Sequence, residues 1–277
     1  MNLLRETYAF IAIYLFLQAL PAYGVLIHQY SFNESSGETV FIDSIGGENA
    51  ELINSGFAQV GDNGSVTLDG GTRRSYIDIP TATIQNSESI STELWATNNS
   101  HRNNSRIFEL GSSKTERITW HWAGYRNSES YFQAVGFDKN GSTSYDVYEK
   151  TTDALELGTE YHFTLTLEDI GNDLRVSIFL DSVLVSTNLL TNSDISDLEI
   201  DQFTLGYDSF YGSSASSSSY NELRIHNHAL TQEQITQNYQ YGSGVVPEPS
   251  TYALIFGVVA FCAVMRLRHQ SSIDERK

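Results

Sequence analysis

Polar and apolar residues alternate in three stretches of the chain. The stretches are Ser75–Ile79, Tyr161–Leu167 and Leu174–Leu180, each bounded by Gly, Asn, Asp or Pro. Alternation with a period of two is typical of half-buried antiparallel strands. The segments interpreted as turns are Asp69–Gly71, Asn140–Gly141 and Gly171–Asp173. Several short strands with few helices predict an all-β fold, an antiparallel two-sheet sandwich of the jelly-roll type.

One short helix is predicted after these strands. Thr231 and Gln234 have the spacing of a capping box, in which the Thr hydroxyl accepts from the Gln amide while the Gln side chain reaches back. Leu230 and Ile235 occupy the hydrophobic-staple positions on either side, and Gly242 is the expected stop. The pattern therefore predicts one helix that closes the domain.

An apolar segment, Tyr8–Leu20, lies at the N-terminal end and follows Arg5. Ala22 and Gly24 are small residues at the positions where a signal peptidase cleaves. The sequence predicts a signal peptide over residues 1–24 and a mature chain that starts near Val25. An uncleaved anchor is the alternative, because an acidic residue follows Arg5 and weakens the positive charge there.

A second apolar segment, Tyr252–Met265, is followed by Arg266 and Arg268. As a helix it spans about 21 Å, against roughly 30 Å of hydrocarbon in a bilayer. The arginines are expected to stay in the cytoplasm, so the rest of the chain lies outside. The pattern predicts a transmembrane helix short enough to suit a segment that is removed. An ordinary C-terminal membrane helix is the alternative.

A short motif, Val246, Pro247, Glu248 and Pro249, precedes this segment. Each proline fixes its own φ and extends the residue before it, so one carboxylate is presented on a pre-extended backbone. Residues 243–277 together resemble the PEP-CTERM sorting signal of Gram-negative bacteria. The resemblance implies that an exosortase is a partner and cleaves close to this motif. It also implies export across the inner membrane, anchoring there, and transfer to the cell surface or extracellular matrix.

The net charge and the single cysteine exclude some kinds of partner and cross-link. The formal net charge of −18 repels nucleic acid phosphates and acidic lipids. Most acidic residues are expected only to maintain solubility, and calcium binding by a few of them is the alternative. The single cysteine, Cys262, lies in the C-terminal apolar segment, so no intramolecular disulfide forms.

Short motifs follow one another along the domain. In chain order they are Tyr30–Glu34, Asp43–Gly46, Leu68–Gly70, Tyr76–Ile79, Ile90–Trp95, Ile107–Gly111, Tyr161–Phe163, Phe179–Ser182, Phe203–Gly206, Asn221–Ile225 and Ala229–Thr231. Their order resembles the LamG-like jelly roll of the concanavalin A-like lectin/glucanase superfamily. Two positions depart from the pattern: Ser182 replaces a usual turn glycine, and Asn221 a usual acidic residue. The resemblance covers residues 28–242 and implies one domain over residues 25–242.

Enzymes, binding modules and spacers all use this fold, so function has to be argued from residues. Laminarinase-like hydrolases of the superfamily carry E-x-D-x-E or E-x-D-x-x-E on one strand, which supplies two carboxylates about 5 Å apart. The nearest match, Glu199–Thr204, lacks the second Glu. The sequence therefore predicts no catalysis, and hydrolysis of an extracellular polysaccharide by Glu199 and Asp201 is the alternative. His162 lies among apolar residues and is expected to be structural.

Aromatic residues give two candidate ligand surfaces. Trp120 and Trp122 share one face of a strand, where they either stack on sugar rings or fill the space between the sheets. Tyr207 and Tyr211 precede a serine-rich segment, residues 213–219, which is interpreted as a mobile loop. We expect a non-catalytic surface or matrix protein that binds carbohydrate or a surface protein. A purely structural role is the other alternative.

Overall fold

The computed structural model describes residues 25–61, 64–71, 75–84, 88–100, 102, 104–113, 116–122, 131–135, 145–150, 155–197, 200–207 and 215–244. They belong to one unit that runs from Gly24 to Val245. The predicted signal peptide, the sorting motif and the C-terminal apolar segment lie outside the described residues. Within the described part, no helix is long and apolar enough to span a membrane.

Strands dominate the described residues. They are β1 (Leu26–Tyr30), β2 (Val40–Phe41), β3 (Ala50–Ile53), β4 (Ala58–Gly61), β5 (Ser65–Gly71), β6 (Tyr76–Asp78), β7 (Ser89–Asn98), β8 (Arg106–Ser113), β9 (Glu116–His121), β10 (Tyr131–Val135), β11 (Tyr145–Lys150), β12 (Glu160–Ile170), β13 (Asp173–Leu180), β14 (Val183–Thr191), β15 (Gln202–Leu205) and β16 (Ala215–His226). The described part contains one α-helix, α1 (Gln232–Tyr241). The all-β prediction and the three predicted strands are confirmed, since β6, β12 and β13 occupy those stretches.

The strands form two antiparallel sheets. Sheet A has the order β14-β13-β12-β7-β16-β5-β4, with β1 beside the second half of β16. Sheet B has the order β11-β10-β9-β8-β15-β6-β3-β2. Neighbouring strands are therefore often far apart in sequence, as expected for a jelly roll rather than a simple meander.

The core lies between the two sheets and is built by alternation along each strand. On sheet B, one row of directly paired residues points inward: Trp120, Phe108, Leu205, Ile77 and Leu52. Directly paired residues share a face of an antiparallel sheet, and successive residues of a strand point to opposite faces. The residues next to this row along each strand therefore point outward.

The serine-rich segment was interpreted as a loop, and for residues 215–219 this is wrong. These residues begin β16, which lies between β7 and β5 in sheet A. Ser216 and Ser218 are fully buried, and the Ser218 hydroxyl donates to that of Ser216 at 2.8 Å. Gly206 approaches this strand closely, because a Cβ there would lie 3.3 Å from the Ser216 hydroxyl and 2.4 Å from Leu68.

The glycine pair after Asp69 was predicted to form a turn, and this too is wrong. Both glycines lie within β5, and Gly71 pairs with Ala215 of β16. Gly70 has a φ of +71°, and a Cβ there would lie 2.7 Å from the backbone nitrogen of Ser217. A glycine inside a strand can mark a close approach of another backbone, which is the case here. Of the other two predicted turns, Gly171 and Asn172 do form one, and Asn140–Gly141 lies outside the described residues.

The predicted helix is confirmed in detail. The Thr231 side chain accepts from the Gln234 amide, the Gln234 side chain accepts from the Thr231 amide, and Gly242 ends the helix. Leu230 and Ile235 pack together with Phe179 of β13. Helix α1 is therefore held against the outward face of sheet A.

Candidate functional site

The outward face of sheet B carries a row of polar residues that crosses five strands. Direct pairing joins Thr119 on β9, Glu109 on β8, Thr204 on β15, Asp78 on β6 and Glu51 on β3. We call this set the polar row. Its first three members are buried, whereas Asp78 and Glu51 are exposed. The row therefore has a buried end and an open end.

Glu109 is at the centre of the buried end. Its Oε2 lies 3.1 Å from Nε of Arg106 and 3.6 Å from a terminal nitrogen of Arg117. A register shift between Arg106 and Phe108 turns Arg106 to the same face as Glu109, although they are three residues apart. All three side chains are almost fully buried, so the two guanidinium groups compensate a charge that would otherwise be costly.

His121 completes this cluster. A guanidinium nitrogen of Arg106 lies 2.5 Å from Nδ1 of His121, and Thr119 Oγ1 lies 3.0 Å from Nε2. Because Arg only donates, Nδ1 must accept, and Nε2 carries the proton that is donated to Thr119. Burial, followed by the charges of Arg106 and Arg117, holds the pKa of His121 well below its usual range. The imidazole is therefore neutral and both of its nitrogens are engaged.

The open end of the polar row adjoins two tyrosines. Tyr76 and Tyr207 stack with ring centroids 4.8 Å apart and an interplanar angle of 13°, and both are half-buried. Tyr76 lies on the same face of β6 as Asp78, whose direct partner across the strands is Glu51. We call Tyr76, Tyr207, Asp78 and Glu51 the tyrosine patch. It offers aromatic rings beside two exposed carboxylates.

The electrostatics of the tyrosine patch follow from two like charges. Partial burial raises the pKa of Asp78, and the nearby Glu51 charge raises it further. Burial also raises the pKa of Tyr76, with a further contribution from Asp78. Like charges directly opposite each other destabilise an antiparallel pair. Groups that donate hydrogen bonds to these carboxylates would therefore be favoured as ligands.

The two tryptophans predicted as ligand-binding residues do not reach this face. Trp120 and Trp122 are both 0% exposed. Their rings pack edge-to-face against Phe163 of sheet A, at 4.9 and 5.3 Å. The prediction that these two tryptophans stack on sugar rings is therefore wrong. They fill the space between the sheets, which was the alternative. Of the other two predicted residues, Tyr207 lies in the tyrosine patch and Tyr211 lies outside the described residues.

Sequence reasoning missed Glu109, Arg117 and His121, although a signal was present. Polar and apolar residues alternate strictly from Arg117 to Trp120. Because Trp120 points inward, Ile118 also points inward, and Arg117, Thr119 and His121 point outward. The rest of the polar row could not be read this way, because its members come from strands that pair only in the folded chain.

A second buried polar cluster lies on sheet A beneath α1. Glu93 Oε2 accepts from His226 Nε2 and from Asn238 Nδ2, both at 2.8 Å, and Oε1 lies 3.1 Å from His162 Nε2. Burial alone would raise the pKa of Glu93, but the hydrogen bonds and charges of the two histidines lower it to about 2. His162 also stacks on Trp95 at 4.2 Å, the structural setting expected for it. The cluster ties α1 to the sheet.

The sequence offered Glu199 and Asp201 as candidate catalytic residues. Asp201 is exposed and immediately precedes β15, while Glu199 lies outside the described residues. Within the described part of the chain, no group of three or more His, Cys, Asp or Glu side chains is arranged to hold a metal ion.

A protein family matches most of the domain. A family model described as Laminin_G_3, Concanavalin A-like lectin/glucanases superfamily, matches residues 69–236. No curated protein sequence matches the chain.

Several solved structures share the fold. Domain 4 of AbnA, a GH43 extracellular arabinanase from Geobacillus stearothermophilus in complex with arabinotriose, is 18% identical with a TM-score of 0.51, over 77% of this chain and 98% of that one. Trypanosoma rangeli sialidase in complex with sialic acid is 17% identical with a TM-score of 0.56, and the match covers 82% of this chain and 35% of the sialidase chain. The binding domain of botulinum neurotoxin serotype D/C is 14% identical with a TM-score of 0.52, and the match covers 78% of this chain and 52% of the neurotoxin chain. The chain thus spans about a third of the sialidase. Identities this low show the fold alone.

Proposed function

Because the chain belongs to the concanavalin A-like lectin/glucanase superfamily, we propose that residues 25–244 form a non-catalytic carbohydrate-binding domain. The observation that carries the proposal is the tyrosine patch. Aromatic side chains combine an apolar ring face with a polar tip, which matches the apolar face and hydroxyl rim of a sugar. Carboxylates accept hydrogen bonds only, and sugar hydroxyls donate them. The complex of the arabinanase domain with arabinotriose supports a sugar ligand for a domain of this size.

The charge of the patch favours a neutral glycan. Asp78 and Glu51 are exposed, and the whole chain carries a net charge of −18. An acidic polysaccharide would be repelled both at the patch and at long range. A neutral polysaccharide meets no such repulsion and relieves the unpaired carboxylates by hydrogen bonding.

Binding to immobilised neutral and acidic polysaccharides would test this proposal. We expect residues 25–244 to bind a neutral polymer such as arabinan or a glucan and not alginate. Tyr207→Ala should weaken binding about tenfold, the effect of roughly 1.4 kcal/mol. Tyr241→Ala is the matched control, because Tyr241 is a 47% exposed tyrosine on α1, which covers the other sheet. Equal loss in both variants, or no binding to any neutral polymer, would refute the proposal.

A second candidate function rests on the pairing of Asp78 with Glu51. Residues directly opposite in an antiparallel pair have Cβ atoms about 5 Å apart. Both side chains therefore lie on one face of the sheet, and the pKa of Asp78 is raised. A retaining glycoside hydrolase likewise uses two neighbouring carboxyl groups, one of which has a raised pKa. Prolonged incubation followed by measurement of polymer length separates the two functions. Shortening that disappears in Asp78→Asn would establish hydrolysis, and binding with unchanged length would leave the non-catalytic function.

We further propose that the domain is exported across the inner membrane and sorted to the cell surface or matrix by an exosortase. The support is the tail, where Pro247, Glu248 and Pro249 precede an apolar segment and two arginines. Mass spectrometry of the mature protein would test this. We expect the peptide Tyr252–Lys277 to be absent from the wild type and retained in a Pro247→Ala, Pro249→Ala variant. Retention of the peptide in the wild type would exclude the processing step.

A further inference from the structure

The two carboxylates of the tyrosine patch face each other without a positively charged partner in the described part of the chain. Asp78 and Glu51 are directly paired across β6 and β3, and both are exposed. No described lysine, arginine or histidine forms an ion pair with either of them. Partial burial and then the Glu51 charge raise the pKa of Asp78. The negative charge of this pair is therefore uncompensated among the described residues.

Other carboxylates on the sheet faces do have a basic partner. On sheet A, Glu222 Oε1 lies 2.7 Å from Nε of Arg224, and Glu168 Oε2 lies 2.8 Å from a terminal nitrogen of Arg175. At the buried end of the polar row, Glu109 lies beside two arginines. The chain supplies the counter-charge at these positions. At the tyrosine patch, a ligand is the available source of counter-charge.

The two tyrosines provide rings that also attract a cation. Tyr76 and Tyr207 stack with centroids 4.8 Å apart, and both are half-buried. The negative face of an aromatic ring attracts a cation that lies within about 6 Å of its centroid. The Asp78 charge contributes to the raised pKa of Tyr76, so the ring and the carboxylate are close enough to interact. One cationic group can therefore contact a ring and a carboxylate together.

We propose that the glycan bound at the tyrosine patch carries ammonium groups, as in a polymer of amino sugars that have lost their N-acetyl groups. The inference rests on the proposed carbohydrate-binding function, because it specifies the sugar that binds at the same patch. Repulsion excludes acidic polysaccharides, but it does not exclude cationic ones. An ammonium group donates three hydrogen bonds and accepts none, which matches two carboxylates that only accept.

The sugar ring separates this ligand from a lysine-rich peptide. Both bring ammonium groups, and the net charge of −18 attracts both at long range. Only the amino sugar places the ammonium group on a rigid ring whose apolar face stacks on a tyrosine ring. The ammonium group of lysine is at the end of a flexible stem, so holding it in place costs more conformational entropy. The tyrosine pair therefore favours the amino sugar.

Isothermal titration calorimetry of the full chain in mild non-ionic detergent would test the inference. The probes are a glucosamine tetramer, its fully N-acetylated counterpart and tetralysine. We expect the glucosamine tetramer to bind at least about fivefold more tightly than either of the others, because each exposed charge contact contributes only modestly. This preference should shrink as sodium chloride is added, since salt screens exposed charges.

Variants at the patch locate the preference. Asp78→Asn keeps the shape of the side chain and removes its charge, so the affinities for the glucosamine and N-acetylated tetramers should come within about twofold of each other. Glu233→Gln is the matched control: it also removes one charge, but Glu233 is exposed in the first turn of α1, which covers the other sheet. Glu51→Gln provides a second patch variant if Asp78→Asn does not fold.

The possible outcomes separate this inference from the proposed function. Equal affinities of the wild type for the two sugar tetramers would overturn the inference and leave neutral-glycan binding in place. Tighter binding of tetralysine than of the glucosamine tetramer would overturn it in favour of a basic peptide. A preference that persists in Asp78→Asn and Glu51→Gln would also overturn it, since the attraction would come from the net charge of the whole chain. Absence of binding to either sugar tetramer and to every neutral polymer would refute the proposed function as well.

Discussion

Replacing Glu93 by alanine removes the acceptor shared by three buried side chains. His226 and Asn238 each donate to Glu93 at 2.8 Å, and His162 lies 3.1 Å away. Glu93 is completely buried, so no water replaces it directly. His162 keeps one neighbour, because Thr164 Oγ1 is 3.3 Å from its Nε2. His226 Nε2 and Asn238 Nδ2 lose the hydrogen bonds that they donate to Glu93.

The expected loss of stability follows from these contacts. A buried donor left without a partner costs roughly 1–3 kcal/mol, and breaking a buried ionic contact by removing one partner costs about 3–5 kcal/mol. We therefore expect Glu93→Ala to lower the free energy of unfolding by about 3–5 kcal/mol. Glu93→Gln keeps one oxygen for His226 and Asn238, so its cost should be smaller, about 1–2 kcal/mol.

Equilibrium unfolding in urea, followed by tryptophan fluorescence, measures these losses. The buried Trp95, Trp120 and Trp122 report on global unfolding. Glu168→Ala is the matched control, because Glu168 pairs with Arg175 at 2.8 Å but both side chains are exposed. An exposed ion pair contributes roughly 0–1 kcal/mol. A Glu93→Ala variant no less stable than Glu168→Ala would refute the argument that this cluster stabilises the domain.

The same carboxylate gives a dependence on pH with a defined sign. The pKa of Glu93 is lowered from 4.5 to about 2 in the folded protein. A lowered folded-state pKa stabilises the protein fully above the unfolded pKa, and this stabilisation is lost as the pH falls through the folded pKa. The stability gap between wild type and Glu93→Gln should therefore shrink between pH 4.5 and pH 2; a constant gap would contradict the pKa assignment.

The remaining predictions concern three local features. Gly70→Ala should destabilise the domain by at least about 1 kcal/mol more than Gly158→Ala in thermal unfolding. Both glycines have a left-handed φ, but only at Gly70 would a Cβ meet the backbone of another strand. Equal effects would show that φ alone matters. Trp120→Ala should cost about 3–5 kcal/mol of unfolding free energy by leaving a core cavity, whereas Tyr207→Ala should change glycan binding with little loss of stability; the reverse pattern would contradict the assignment of the two faces. Thr231→Ala should cost about 1 kcal/mol in the same unfolding assay by removing the helix cap, and an unchanged stability would show that the cap contributes nothing.

The sequence alone was sufficient where one short segment holds the whole signal. The capping box at Thr231 and Gln234 is local, and its hydrogen bonds are those predicted. Alternation in the segments of β6, β12 and β13 predicted strands because period two places every second side chain on one face. The order of motifs likewise predicted the fold family, which the match over residues 69–236 confirms.

Composition misled where burial depends on a neighbouring strand. The serines of residues 215–219 looked like a loop, yet they form part of β16 between β5 and β7. Ser216 is buried because β7 and β5 flank this part of β16, and a Cβ on Gly206 would lie only 3.3 Å from its hydroxyl. Nothing in the serine segment itself identifies these neighbouring strands.

The tertiary structure decided the candidate site. The sequence determined that Trp120 and Trp122 share a face, but only sheet packing against Phe163 decided that this face is the core. Asp78 and Glu51 become neighbours because β6 pairs with β3, and Tyr207 joins them through its stack on Tyr76. Local propensity acts over a few residues, whereas a binding surface on a jelly roll is assembled by strand pairs that are distant in sequence. Side-chain type and alternation are therefore read directly from the chain, and the identity of each cross-strand neighbour is set by the fold.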